Sequence, residues 1–256
     1  MRNLADKVAI ITGASSGIGY ATAKLFAQHG ARLVVSGRRE TELSALVEEI
    51  GSGGGQAVAI PGDVREEPVA AALVEAAVKR FGGLDVAFNN AGSVGESGGS
   101  HDLSVAGWRD TIDTNLTAAF LGAKYQLPAM LERGGGSLLF TSSFVGVTVG
   151  MPGMAAYAAS KAGQLGLVRT LAVEYGTRGI RANAILPGGT ETPSNTANAP
   201  GAGPEVRAFV EGLHALKRMA RPEEVAQLAM FLASEAASFV TGTAILVDGG
   251  VSVSRT

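Results

Sequence analysis

Seven short apolar runs recur along the chain, at 7–12 (KVAIIT), 31–36 (ARLVVS), 56–61 (QAVAIP), 84–90 (LDVAFNN), 137–143 (SLLFTSS), 180–186 (IRANAIL) and 243–249 (TAILVDG). They are rich in β-branched residues and apolar nearly throughout rather than at alternate positions, the pattern of strands covered on both faces. Between them, apolar positions three and four apart predict helices over about 17–29, 40–50, 66–80, 104–131, 155–178 and 222–234, several ended by glycine runs such as 51–55 and 134–136. Strand and helix alternate to the end without a linker-like break. The expected fold is therefore a single α/β domain, a doubly wound parallel seven-stranded sheet with right-handed crossovers and helices on both faces. One stretch, 187–204 (PGGTETPSNTANAPGAGP), fits neither period. It is long for a connection and follows a strand's carboxyl end, where ligands sit in open α/β sheets, so it is read as part of a substrate lid at about 188–215.

Composition narrows the partners. Of 256 residues, 46% are hydrophobic and 17% charged, enough for a full core, and a net charge of -2 provides no broad basic field for nucleic acid or an anionic membrane. A small molecule is the expected partner. The absence of cysteine rules out a disulfide framework, a thiol nucleophile and a thiolate metal site, and it fits a reducing compartment, with the cytoplasm as the expected location. His29, His101 and His214 lie far apart without ligand spacing, so no metal is expected. The first apolar run stops at Gly13, too short for a signal segment or a membrane span.

Three turns carry candidate binding chemistry. The first, 12–19 (TGASSGIG), joins the first strand to the first helix, with Gly13, Gly17 and Gly19 letting main-chain N–H groups approach a pyrophosphate and the helix end adding its positive dipole. Ser15, Ser16 and Ile18 belong to the same turn; the plain alternative is a glycine-rich turn with no ligand. In the second, 62–64 (GDV), Asp63 either caps the next helix or meets an adenine edge beside Val64. In the third, 89–92 (NNAG), the asparagines either tolerate unusual turn angles, or Asn90, Ala91 and Gly92 pass closely beneath a cofactor. All three fall on one sheet edge.

Within the small-residue stretch 155–163 (AAYAASKAG), Tyr157 and Lys161 stand four apart and share a helical face. A phenol titrates near 10 in water, and an ammonium one turn away favours the phenolate, which suits proton transfer at an alcohol or carbonyl oxygen. A half-buried aromatic beside a solvated lysine is the alternative for an isolated pair.

Taken in order, TGxxxGxG, NNAG, Ser143, YxxxK, PGGTET (187–192) and VTGTAILVDGG (240–250) resemble the short-chain dehydrogenase/reductase superfamily over almost the whole chain. The resemblance is to the single-domain branch of roughly 250 residues that includes 3-oxoacyl-carrier-protein reductases and many alcohol and sugar dehydrogenases. It implies a Rossmann fold and hydride transfer between a nicotinamide and a carbonyl or secondary alcohol. Tyr157 would be the general acid/base and Lys161 would hold the nicotinamide ribose. Ser143, with adjacent Ser142 as second choice, would bond the substrate oxygen. Asn115 would hold a relay water beside the lysine, unless it bonds locally within its helix. Pro187, Gly188, Thr190 and Thr192 would grip the nicotinamide carboxamide. A homotetramer is also implied, and the small residues Ala159, Ala162, Gly163 and Gly166 suggest a helix-on-helix subunit contact. Rival readings are a catalytically inactive NADP(H)-binding sensor or scaffold, and an epimerase or dehydratase, whose relatives carry a longer C-terminal region.

At the end of the second strand, 34–40 (VVSGRRE), Ser36 and Gly37 occupy the place of the acidic residue that binds a ribose 2′-hydroxyl, and Arg38 and Arg39 follow. A guanidinium binds a 2′-phosphate, so NADP(H) is preferred. NAD(H) stays open because Ser15 and Ser16 stand where many NADP-binding relatives carry a second basic residue. The substrate pocket is expected from 93–97, 144–154 and the lid, through Phe144, Val145, Val149, Met151 and Met154, with Glu96 its one ionisable side chain. It points to an uncharged or weakly polar carbonyl or secondary alcohol.

Overall fold

The computed structural model describes residues 3–195 and 202–254. All seven expected strands form: β1 (Val8–Thr12), β2 (Arg32–Gly37), β3 (Gln56–Pro61), β4 (Val86–Asn89), β5 (Gly136–Thr141), β6 (Ile180–Pro187) and β7 (Ala244–Val247). They make one parallel sheet in the order β3-β2-β1-β4-β5-β6-β7. The chain reverses direction between β1 and β4, which opens a crevice at their carboxyl ends.

Alternate residues of each strand serve opposite layers. Ile11, Val35, Phe88 and Ile185 pack against α1 (Gly17–Gln28), α2 (Glu40–Ser52) and α8 (Pro222–Ala233), through Phe26, Leu46 and Val225. Ile10, Ala87, Leu138 and Ala184 face the other way, onto α3 (Glu67–Phe81), α5 (Ala118–Arg133) and α6 (Ala155–Tyr175), through Leu73, Leu127 and Val168. Burial on both sides explains why the strands read as unbroken apolar runs.

Two helical features depart from the sequence pattern. The single helix expected over 104–131 is α4 (Val105–Ile112), a π-helical turn at Asp113–Thr117, then α5. One extra residue in a turn shifts the following face without erasing the apolar spacing, so periodicity passes over it. Within the expected lid, Pro204–Leu213 forms α7, which begins with a proline and buries none of its residues. The lid residues 196–201 lie outside the described residues. Among the described residues, no helix is long and apolar enough to cross a membrane.

Candidate active site

The carboxyl edge of the sheet opens into a cleft of about 610 Å³, lined by every sequence-predicted cofactor residue except Gly19, and by Ser143. Its adenine-side wall is built largely from main chain. Gly13 has φ +67°, and a side-chain carbon there would come within 2.9 Å of the Ala91 Cα. Gly19 lies beneath the cleft, where such a carbon would be 2.3 Å from the Gly13 carbonyl. Asn90 fastens the edge: its amide donates to the Thr12 carbonyl at 3.0 Å and its oxygen accepts from Thr141 at 2.9 Å, joining β1, β4 and β5. The side chain of Ser16, at the start of α1, caps no N–H of its own helix. A turn cleared of side chains beside an uncapped helix start fits a pyrophosphate.

The two arginines after β2 differ. Arg39 donates to the Ser15 carbonyl and hydroxyl at 3.1 Å and lies 3.5 Å from Glu42. Arg38 also lines the cleft and is exposed. Asp63 is not the cap of α3, a position held by Glu66. Its carboxylate takes the Arg65 guanidinium at 2.6 Å, which holds its pKa below the usual carboxylate range, and Arg65 continues to Asp110 on α4.

At the other end Tyr157 and Lys161 project from the first two turns of α6. Lys161 is 3% exposed, and its ammonium donates to the Thr141 carbonyl at 2.7 Å. It lies 5.7 Å from the centre of the Tyr157 ring. Burial lowers the lysine to about 8. The sequence suggested a phenol shifted down by this ammonium, but desolvation moves Tyr157 up, and the hydrogen bond from Ser143 opposes it only in part. Taking both groups out of water disfavours both charges at once, a term that spacing does not reveal. The two serines separate: Ser143 lies beside the phenol in the cleft and its hydroxyl accepts from the Val145 N–H at 3.1 Å, whereas the Ser142 hydroxyl donates to the Lys161 carbonyl at 2.8 Å.

Asn115 is buried behind this pair, within the π-helical turn. Its amide donates to the Ser93 carbonyl at 2.9 Å and the Ser160 hydroxyl at 3.0 Å, and its oxygen accepts from the Ser93 N–H at 2.9 Å. These bonds tie the π-turn to the segment after β4 and to α6. Its main-chain carbonyl accepts from the Gln164 amide at 2.7 Å. Gln164 went unnoticed in the sequence; its signal was a polar residue on the buried face of α6, three positions past Lys161.

The segment after β6 packs over the cleft. Thr192 lies against Gly17, where a side-chain carbon would come 2.8 Å from its methyl, and Thr190 bonds the Gly188 carbonyl at 3.1 Å. His214, which spacing left without a role, is buried: one ring nitrogen accepts from the Gly189 N–H at 2.9 Å and the other bonds the Val210 carbonyl at 2.8 Å. With Nε2 accepting, Nδ1 is the donor to Val210, and the ring couples α7 to the loop. Phe144, Val145, Met151 and Met154 line the cleft as expected; Val149 and Glu96 do not. Glu96 turns instead to the Ser104 N–H (3.0 Å) and hydroxyl (2.6 Å) at the start of α4. Gly163 packs inward, where a side-chain carbon would come 2.7 Å from Leu116, while Ala159 and Gly166 are exposed.

Comparison with known proteins agrees with this architecture. Residues 13–252 match the family model described as Enoyl-(Acyl carrier protein) reductase. The chain is 43% identical to the cyclohexanol dehydrogenase of Acinetobacter sp. (strain SE19) over 95% of its length and 94% of the relative's. It is 42% identical to the cis-4-hydroxycyclohexanecarboxylate dehydrogenase of Sinomonas cyclohexanicum, over 96% of each. The crystal structure of levodione reductase superposes with a TM-score of 0.94 at 34% identity, covering 98% of this chain and 100% of that one. The chain is an NAD(P)-dependent oxidoreductase and belongs to the short-chain dehydrogenase/reductase family.

Proposed function

We propose that the protein interconverts an uncharged alicyclic secondary alcohol and its ketone, with Tyr157 as the general acid/base and NADP(H) as the preferred cofactor. The observation that carries this reading is the Tyr157–Ser143 pair in a cleft whose described substrate-side wall holds Phe144, Val145, Met151, Met154, Val210 and Leu213. That wall contains no carboxylate and no cation apart from Lys161. Cyclohexanol dehydrogenase and levodione reductase are named for comparable uncharged substrates. A ring carrying a carboxylate, as the Sinomonas relative's name specifies, would lose its hydration here without gaining a partner.

The glycine turn, the start of α1 and the Asn90–Gly92 segment would hold the dinucleotide phosphates and ribose, with Pro187, Gly188, Thr190 and Thr192 at the carboxamide and Asp63 and Val64 at the adenine. The bound nicotinamide supplies or accepts the hydride. In reduction Tyr157 gives its proton to the developing alkoxide while Ser143 donates a hydrogen bond to the same oxygen; oxidation reverses the transfer. Lys161, when protonated, favours the phenolate that remains. Arg38 supports NADP(H) because it borders the cleft with no hydrogen bond or close ion pair among the described residues, ready for a 2′-phosphate. The lid would be the loop after β6 together with α7, joined through His214. A homotetramer is supported by apolar side chains exposed on two sides, Trp108 and Phe120 on α4 and α5, and Phe231 and Leu246 on α8 and β7. The cytoplasmic location continues to rest on the absence of cysteine.

The test is steady-state turnover of cyclohexanol and cyclohexanone against 4-hydroxycyclohexanecarboxylate, each with NADP(H) and NAD(H). The reading requires kcat/KM for the uncharged ring to exceed that for the carboxylate by more than about tenfold, the order expected for one unpaired buried charge. Equal turnover of the two, or none, removes it.

A further inference from the structure

Gln164 has no part in the chemistry described so far, yet it is 1% exposed and lies on the face of α6 that carries Tyr157 and Lys161. Its Nε2 donates to the Asn115 carbonyl at 2.7 Å, while its Oε1 is buried and has no partner among the described residues. A leucine would fill the same space without stranding an acceptor. Packing alone therefore gives a poor account of a glutamine here.

The contacts run from Gln164 towards the lysine. Asn115 spends its side chain on Ser93 and Ser160. A side-chain carbon built on Gly92 would lie 3.0 Å from the Asn115 Oδ1 and 3.1 Å from the Lys161 Nζ, so asparagine and ammonium flank one point. The π-turn that carries Asn115 is a local departure from the regular helical ladder, and the Gln164 amide holds its carbonyl from across the helix interface.

We propose that Gln164 is a positioning residue for proton transfer at Tyr157: by pinning the Asn115 carbonyl it holds the π-turn against Lys161 and keeps the ammonium ordered beside the phenol. The proposal rests on the reading of Tyr157 and Lys161 as the acid–base pair.

The test uses Gln164→Leu and Gln164→Glu in the full-length protein, with two readouts. The first needs no substrate. Lys161 ionisation is followed by NMR of 15N-lysine-labelled protein, with its signal assigned by loss in Lys161→Met; Gln164→Leu should raise the Lys161 midpoint from about 8 towards the ordinary lysine value by about half a pH unit or more, a roughly threefold change in the ionisation constant. The second is the pH profile of kcat. Gln164→Leu should lower kcat about tenfold and displace the profile, less than the roughly 10²-fold or more of a direct general acid or base because Gln164 acts through Asn115 and Lys161. In Gln164→Glu the protonated carboxyl can donate to Asn115 and the carboxylate cannot, so activity should recover towards acid and fall as pH rises. An unmoved Lys161 midpoint, or a lower melting temperature with an unshifted kcat profile, overturns the proposal and leaves Gln164 a packing residue. A shifted midpoint in a protein inactive on every alicyclic substrate upholds the inference and discards the proposed substrate.

Discussion

The two ends of the cleft are made from different materials. At the phosphate end the decisive groups are main-chain atoms exposed by missing side chains: Gly13 and Gly19 leave no room for a carbon beside Ala91 and the Gly13 carbonyl. At the catalytic end they are side chains taken out of water, and burial moves both, Tyr157 up and Lys161 down to about 8. The first end is rigid by steric exclusion, while the second depends on a half-buried tyrosine and a buried lysine for which each charge is costly. Perturbation should therefore act as a step at the glycines and as a pH-dependent slope at the tyrosine and lysine.

The largest effect belongs to the catalytic end. Tyr157→Phe removes the proton donor and keeps the ring, so kcat should fall by about 10³-fold or more, within the range assigned to positioned acid–base groups. Cofactor affinity, read by nicotinamide fluorescence titration, should stay within about twofold because the phosphate end is untouched. Turnover within tenfold of the parent would mean that the two ends do not divide binding from chemistry in this way.

The glycine end should answer in the opposite sense. Gly19→Ala puts a carbon 2.3 Å from a carbonyl oxygen, and both partners are backbone, so one must move. Cofactor affinity should fall about 100-fold, equivalent to the 1–3 kcal/mol typical of overpacking. Gly51→Ala is the control, because a carbon there meets nothing within 4 Å and should be neutral or slightly stabilising. If titration gave both variants the parent's affinity, steric exclusion would not shape the phosphate end.

Lys161 tests the slope. Its folded value of about 8 lies below the unfolded lysine value near 10.4. Between the two, the unfolded chain binds the proton that the folded chain has released, so this group's contribution to stability is full above the unfolded value and is lost as pH falls through about 8. Tyr157 is shifted the other way, and its contribution is lost only as pH rises past the phenol's ordinary value of about 10, which sets an upper limit for the window. From pH 8 to 9.5, denaturant unfolding should show the parent gaining about 2 kcal/mol relative to Lys161→Met. Parallel curves for the two proteins would mean that burial does not depress this lysine.

The same contrast governs how much was legible in the sequence. Strands covered on both faces leave unbroken apolar runs, and glycine turns leave fixed spacings, so the sheet and the phosphate end could be read from composition and order alone. The catalytic end could be read only as residue types. Tyr157 and Lys161 share a face by helical spacing, but the upward displacement of the phenol comes from burial, to which Phe144, Val145 and Val251 contribute from distant parts of the chain. The π-turn at Asp113–Thr117 and the bond from Gln164 to Asn115 were hidden for a related reason: one is a local change of helical pitch, the other a contact across 49 positions. His214 carried no motif because its partners are main-chain atoms of Gly189 and Val210. Glu96 was misplaced because spacing put it in the pocket loop, whereas Ser104 offers it two donors at a helix start.

The smallest effect separates the two arginines of the phosphate end. Arg39 is already spent on Ser15 and Glu42, so using it for a 2′-phosphate would require breaking those bonds. Arg38 makes no competing hydrogen bond among the described residues and borders the same cleft. Its exposure limits the benefit, because water screens the charge and the side chain must be ordered on binding. Arg38→Ala should therefore weaken NADPH binding about tenfold at low salt, less at high salt, and leave NADH within about twofold. Arg39→Ala should weaken NADPH by only about two- to threefold, through loosening of Ser15 rather than loss of a phosphate contact. Equal losses for NADPH and NADH in Arg38→Ala would place the arginine against a group that both cofactors share, and the preference for NADP(H) would then need another origin in the first turn.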